Sequence, residues 1–232
     1  MSKIDSFNFE DLRYEKKFVI SELELQELEH LIKSNSVMFS EIFHERTVNN
    51  IYLDSYDFRN YNENLDGVSQ RLKIRIRWYG EIFTIIQDPV LELKMKCNEL
   101  GKKWSFPLKS FSFDKNFSLE LLQQIFSKSN LPAGLAEKLK SYHPTLLNSY
   151  TRKYFVSASK KHRITLDRNQ VFLRIREQNN LFNEKIVNKD EYILELKYSS
   201  KDYRETESIL QELPLRVIAH SKYVEGIKLL NL

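Results

Sequence analysis

Polar and apolar residues alternate along several stretches of the chain with the period of a β-strand. In residues 69–80, SQRLKIRIRWYG, four cations occupy alternate positions: Arg71, Lys73, Arg75 and Arg77. Successive side chains on a strand point to opposite faces, so these cations share one face and large apolar side chains share the other. The stretch therefore predicts a strand with one basic face and one apolar face.

The same alternation of charged and apolar residues recurs elsewhere, and it predicts about eight strands in total. The other strands are predicted at 13–20, 46–55, 90–97, 102–108, 146–159, 162–170, 171–177 and 191–199. A polar excursion, 178–190, separates the last two. The short connections between neighbouring strands favour mostly antiparallel pairing.

Helical patterns separate these strands. Apolar residues at helical spacing predict helices over 21–35, 118–142, 201–213 and 221–231, with a short helix or turn over 57–67. The segment 131–134 contains Pro and Gly and interrupts the second of these helices. Ser21, with Glu24 three residues later, predicts the start of the first helix through a capping box.

The charged strand faces allow two interpretations. In a sandwich they face solvent, because Lys, Arg and Glu are almost never fully buried unless they are paired. In a sheet closed into a barrel, with helices covering the apolar outer face, they line a wet interior. Because cations and carboxylates occur together on these faces, the second arrangement would suit a polyphosphate and its divalent metal.

Composition narrows the class of protein. The 232 residues suffice for one domain, 1–232, and the formal net charge is only +4, so any role for positive charge must come from its placement. A single cysteine, Cys97, excludes an internal disulfide. No secretory signal or apolar run of membrane-spanning length is visible, and we expect a cytoplasmic location.

Seven motifs in order resemble the VTC domain, the polyphosphate polymerase domain of the CYTH-like triphosphate tunnel metalloenzymes, in its stand-alone bacterial form. They lie at 13–20, 49–80, 91–108, 150–155, 163–169, 194–198 and 220–223. The resemblance implies an α+β fold in which an eight-stranded antiparallel barrel with a charged interior carries its helices outside. It also implies ATP and inorganic polyphosphate as partners.

The resemblance further implies roles for individual residues. The expected catalytic residues are Arg75, Arg77, Lys94, Arg152, Arg163 and Lys222. The expected substrate-binding residues are Lys17, Lys73, Lys103, Lys197 and Tyr150. Glu195, with Glu15 and Glu92 as helpers, is expected to hold Mn²⁺ or Mg²⁺, and Asp167 is expected to pair with Arg163.

The first strand departs from the pattern of many tunnel enzymes. Those enzymes begin with Glu-x-Glu-x-Lys, whereas this chain has Arg13-x-Glu15-x-Lys17. The loss of one metal-binding carboxylate favours transfer of the ATP γ-phosphate to a phosphate or polyphosphate chain over hydrolysis. A metal-dependent triphosphatase and a non-catalytic polyphosphate-binding module remain alternatives.

Other partners are less well defined by the sequence. A nucleic-acid-binding barrel is disfavoured, because it would place aromatic side chains beside the cations, and here they fall on the opposite face. A membrane-protein partner and the oligomeric state stay open.

Overall fold

The computed structural model describes residues 13–97 and 100–232. The strands of this part are β1 (Arg13–Ile20), β2 (Ser40–Asp54), β3 (Gln70–Tyr79), β4 (Ile85–Ile86), β5 (Val90–Cys97), β6 (Leu100–Pro107), β7 (Phe111–Ser112), β8 (His143–Val156), β9 (Arg163–Arg174), β10 (Lys185–Asn188) and β11 (Tyr192–Ser199). The helices are α1 (Leu25–Lys33), α2 (Arg59–Leu65), α3 (Leu119–Lys128), α4 (Ala133–Leu139), α5 (Tyr203–Gln211) and α6 (Lys222–Leu230).

Eight of the strands form a closed antiparallel ring. The order is β9-β11-β1-β6-β5-β3-β2-β8, and β8 pairs with β9 to close it. β10 pairs with the C-terminal half of β9, and β4 and β7 form a separate two-stranded sheet. The predicted closed eight-stranded fold with helices is therefore confirmed.

The apolar faces of the ring pack against helices on its outside. Ile74, Ile76 and Trp78 of β3 lie in one core with residues of α3 and α4. Phe18 of β1 lies in a second core, together with Leu28 of α1 and residues of α5. Burying these faces outward leaves the charged faces of the same strands pointing into the ring.

Several predicted boundaries were wrong. α1 begins after Glu24 rather than Ser21, because Glu24 and Glu27 form the capping box themselves, with the Glu24 N–H donating to Glu27 Oε2 at 2.7 Å. The two strands predicted over 162–177 are one strand, β9, and the excursion 178–190 contains β10. Within the described residues, no helix is long and apolar enough to cross a membrane.

Candidate functional site

The ring encloses a cavity of about 760 Å³ whose lining is strongly cationic. Twelve Lys and Arg side chains and three Glu side chains line it. The cations are Lys16, Lys17, Arg71, Lys73, Arg75, Arg77, Lys94, Lys96, Arg152, Lys197, Lys222 and Lys228. The basic faces of β1, β3, β5, β8 and β11 thus converge on one space, together with part of α6.

Eleven of the fourteen residues predicted for the site line this cavity. The three that do not are Arg163, Lys103 and Glu92. Arg163 is the first residue of β9, and its side chain is exposed there. Lys103 reaches the site only through an ion pair with Glu92, which lies behind the lining.

Glu92 acts as a buried counter-ion for the cations of β3. Its carboxylate accepts hydrogen bonds from Arg75 Nε at 2.8 Å and Lys103 Nζ at 2.7 Å, and Arg77 Nη1 lies 3.6 Å away. Burial alone would raise the pKa of Glu92, but Arg75 and Arg77 hold it well below its ordinary value. Glu92 therefore stays ionised and fixes the direction of the Arg75 guanidinium.

A second buried carboxylate, Asp167, binds two of the predicted catalytic cations. Arg152 donates to it in a bidentate pair at 2.5 and 2.7 Å, and Lys222 Nζ lies 2.7 Å from Oδ2. Burial would raise the pKa of Asp167, yet Arg152 and Lys222 lower it to about 2. The expected pairing of Asp167 with Arg163 is wrong, because Arg152 is its direct partner across β8 and β9.

Arg77 is oriented by neutral groups as well as by charge. Its Nε donates to Asn50 Oδ1 at 2.9 Å and its Nη2 donates to Tyr150 Oη at 3.3 Å. Burial would raise the pKa of Tyr150, but Arg152 and Arg77 lower it. The sequence analysis missed Asn50, which pairs with Arg77 across β2 and β3 but follows Asn49 and so stands in no clear polar–apolar alternation.

The lysines of the cavity differ in the direction of their pKa shifts. Burial lowers the pKa of Lys94 to about 8, although both oxygens of Glu15 lie 2.6 Å from its Nζ. Burial, with Lys17 and Lys94, lowers the pKa of Lys73 well below its ordinary value. Burial would also lower the pKa of Lys17, but Glu195 and Glu15 raise it above its ordinary value. The cavity thus holds cations that repel one another.

The N-terminal end of α6 enters the cavity and is held by two of its lysines. Lys73 Nζ donates to Ser221 Oγ at 2.8 Å, and Lys17 Nζ donates to the His220 carbonyl at 3.2 Å. Burial, with Lys222 and Lys17, lowers the pKa of His220 to about 3, so its imidazole is neutral near pH 7. The structure thereby places Lys222, the next cation of this segment, inside the ring.

The residues expected to hold a divalent metal are only partly available. Among residues 13–97 and 100–232, no three His, Cys, Asp or Glu side chains converge as a metal site. Glu92 is engaged by Arg75 and Lys103, whereas Glu195 lines the cavity with Lys197 Nζ at 3.6 Å. Mg²⁺ commonly takes one or two carboxylates and completes its shell with phosphate oxygens and water. Glu195 fits that donor set, whereas both oxygens of Glu15 lie 2.6 Å from Lys94 Nζ.

A closed antiparallel ring around a row of cations is the architecture of the triphosphate tunnel proteins. The chain belongs to the VTC domain family, whose model matches residues 12–231. No curated protein matches it in sequence.

One of the solved structures that are similar to this chain has a TM-score above 0.5 and supports this fold. A candidate adenylate cyclase from Vibrio parahaemolyticus is similar, with a TM-score of 0.52 at 10% identity over 94% of this chain and 98% of that one. A candidate adenylyl cyclase from Hippeastrum, described as having a dominant triphosphatase activity, has a TM-score of 0.49 at 12% identity over 94% and 95%. A protein from Pyrococcus horikoshii has a TM-score of 0.47 at 15% identity over 92% and 95%.

Proposed function

We propose that this protein is an ATP-dependent polyphosphate polymerase that transfers the γ-phosphate of ATP to a phosphate or polyphosphate chain inside the ring. The observation that carries the proposal is the excess of twelve cationic over three acidic side chains around one enclosed cavity. Both reactants of this transfer are anions. Two unit charges 4 Å apart repel by about 4 kcal/mol at an effective dielectric constant of 20, so the reaction needs cations on every side.

The cations bind and orient the reactants, and phosphoryl transfer needs little more from a protein. The γ-phosphate lies against Arg75, Arg77 and Lys94. A terminal oxygen of the acceptor forms a bond to the γ-phosphorus as the bond from that phosphorus to the β–γ bridging oxygen breaks. ADP leaves with the bridging oxygen, and the chain is longer by one phosphate.

Glu195 would hold a divalent cation beside the phosphates, and Glu15 would join it only by giving up its ion pair with Lys94. When bound, such a cation neutralises charge on the phosphate oxygens. Arg152 and Lys222, fixed by Asp167, supply further protein cations. Most of the neutralising charge in this proposal therefore comes from Lys and Arg, which favours an anionic acceptor over water.

Product analysis tests the proposal. The protein is incubated with ATP and either Mn²⁺ or Mg²⁺, and polyphosphate on a gel is compared with free phosphate. We expect chains, and we expect Arg77→Gln to lower their rate of formation at least about tenfold, since the variant loses a charged donor to the developing transition state. Arg176→Gln is the matched control, because that side chain is 55% exposed and lies outside the cavity lining.

The alternatives predict different products. Free phosphate from ATP or tripolyphosphate without chains would identify a triphosphatase on the same site. Tight binding of polyphosphate with no turnover would identify a binding module. Either result would refute the polymerase.

A further inference from the structure

Asp54, the last residue of β2, is a fully buried carboxylate that lies outside the cavity lining. Its Oδ1 accepts the backbone N–H groups of Ser55 and Asn60, both at 2.8 Å, and its Oδ2 accepts that of Tyr61 at 2.9 Å. Asn60 and Tyr61 belong to the first turn of α2, where backbone N–H groups have no partner within the helix. Asp54 therefore fixes the start of α2 to the end of β2.

The same carboxylate also binds α6. Tyr223 Oη donates to Asp54 Oδ2 at 2.6 Å, between residues 169 positions apart in the chain. Burial and the Asp54 carboxylate raise the pKa of Tyr223 above its ordinary value, so the phenol keeps its proton and acts as the donor. The Tyr223 ring is 2% exposed and stacks on Tyr52 with ring centroids 5.0 Å apart. One buried carboxylate thus joins β2, α2 and the first turn of α6.

Tyr223 directly follows Lys222, one of the predicted catalytic cations. The Cα atoms of consecutive residues lie about 3.8 Å apart, so fixing the Tyr223 side chain also fixes the backbone from which the Lys222 side chain extends. Lys222 Nζ lies 2.7 Å from Asp167 Oδ2, and Arg152 shares that carboxylate. The position of the α6 backbone therefore decides whether Lys222 can reach a phosphate while it stays close to Asp167.

Two other contacts at this end of α6 come from cations of the cavity. Lys73 Nζ donates to Ser221 Oγ, and Lys17 Nζ donates to the His220 carbonyl. Both lysines line the cavity and are expected to bind phosphate. A bound phosphate therefore competes with Ser221 and His220 for these donors, and it weakens two of the contacts that hold this end of α6.

The hydrogen bond between Asp54 and Tyr223 is not subject to this competition, because neither residue lines the cavity. We propose that Asp54, through Tyr223, is a positioning residue that holds Lys222 against the transferred phosphate when substrate occupies the cavity. This inference rests on the proposed function and adds to it a residue that touches no substrate.

Tyr223→Phe tests the proposal, because it removes the hydroxyl and keeps the buried ring. Asp54 retains its three backbone donors, so we expect the variant to fold. Steady-state kinetics of chain formation measures kcat and the KM for ATP. We expect kcat to fall by about three- to tenfold, since misplacing a reacting group lowers the rate. KM should change by less than about twofold, because Arg75 and Arg77 are held by Glu92 instead.

A double-mutant cycle tests whether the effect acts through Lys222. Lys222→Met should itself lower kcat by at least about tenfold, because it removes a cation from the reacting phosphates. Residues that act as one unit have non-additive effects, so adding Tyr223→Phe to Lys222→Met should change kcat by less than about twofold. A purely structural role of Tyr223 would instead lower the rate by the same factor in both backgrounds.

Tyr198→Phe is the matched control for the loss of a buried phenol. Tyr198 is also 2% exposed, but it belongs to the core that contains residues of α1 and α5. This control should leave kcat and KM unchanged. Thermal unfolding of each variant verifies that it is folded. Asp54→Asn alters the same hydrogen bond from the acceptor side, and it should show the same loss of kcat if Tyr223→Phe does not fold.

The outcomes separate this inference from the proposed function. If kcat of Tyr223→Phe lies within about twofold of the parent value, or if Tyr223→Phe costs the same factor with and without Lys222, the inference is overturned and the polymerase stands. A parent that releases phosphate without making chains would refute the polymerase alone, since the same cycle is then measured on phosphate release. A parent that turns over neither ATP nor tripolyphosphate would refute both, because there would be no transferred phosphate for Lys222 to contact.

Discussion

Gly226 lies where α6 packs against the ring with no room for a side chain. A Cβ atom at this position would lie 2.5 Å from Leu146 Cδ2 and 2.6 Å from Phe172 Cδ1. Both of these residues are fully buried, on β8 and β9 respectively. Because carbon atoms in contact normally lie about 3.5–4.0 Å apart, Gly226→Ala must displace either the helix or the strands by about an ångström.

Two opposing effects decide the outcome of this substitution. Overpacking a well-packed core costs about 1–3 kcal/mol. Replacing Gly by Ala within a helix gains about 1 kcal/mol. Two clashes occur, and both partners are buried side chains of the closed ring. We therefore expect an overpacking cost in the upper half of that range, about 2–3 kcal/mol. The net loss of unfolding free energy is then about 1–2 kcal/mol, or a few degrees in Tm for a chain of this size.

The same substitution should weaken anion binding. Displacement of α6 moves Lys222, whose Nζ lies 2.7 Å from Asp167 Oδ2, away from the cavity wall. For Gly226→Ala, urea unfolding should therefore show a lower free energy of unfolding, and titration with tripolyphosphate should show a lower affinity. Gly134→Ala is the control: Gly134 lies in α4 with ordinary backbone angles and nothing within 4 Å of the added methyl, so that variant should gain up to about 1 kcal/mol. If Gly226→Ala were as stable as Gly134→Ala, the reasoning about α6 would be refuted.

Two further predictions concern the charges of the cavity. The pKa of Lys94 is about 8 in the free protein, and a bound anion raises it, so tripolyphosphate binding should take up more protons as the pH rises from 7 to 9. Calorimetry in buffers of different ionisation enthalpy measures this uptake; Lys94→Met should lose the increase, and an uptake independent of pH would contradict the assignment. Asp167→Asn should destabilise the fold by about 3–5 kcal/mol, because two buried cations lose their counter-ion. Glu205→Gln removes an exposed ion pair with Lys161 and should cause little loss of stability, because exposed ion pairs contribute little; equal losses in urea unfolding would show that Asp167 is not structurally required.

Strand alternation predicted the inward face of β1, β3, β5 and β11, although not every residue that lines the cavity. Because the apolar residues of β3 need helices to cover them, its cations are left on the opposite face, and the same holds for β1, β5 and β11. Arg163 shows the limit of this reasoning. It shares the alternation of Asp167 but starts its strand, and alternation carries no information about how far along the ring a residue lies.

The internal pairing of charges could not be predicted from alternation either. Asp167 binds Arg152 because β8 and β9 pair in a particular register. The contact of Glu92 with Lys103 likewise depends on which residues of β5 and β6 lie side by side. Register between strands distant in the chain is set by tertiary packing, so the single sequence shows the candidate charges without their partners. The hydrogen bond from Lys73 to Ser221 depends on where α6 packs against the ring, so no pattern in the neighbouring sequence predicts it.

The two buried carboxylates offset part of the positive charge of this interior. An unpaired buried charge is strongly unfavourable, and Glu92 and Asp167 neutralise the arginines that lie deepest. The lysines are treated differently: burial and mutual repulsion lower the pKa of Lys73 and Lys94, so part of the repulsion is relieved by loss of protons. A bound polyanion raises the pKa of both lysines, and among residues 13–97 and 100–232 the hydrogen-bond partner of Lys73 is the Ser221 hydroxyl rather than a carboxylate. The arginines are therefore oriented in advance by fixed counter-ions, whereas the lysines acquire full charge when an anion binds. This division gives the cavity a rigid binding geometry without requiring twelve full charges in the free protein.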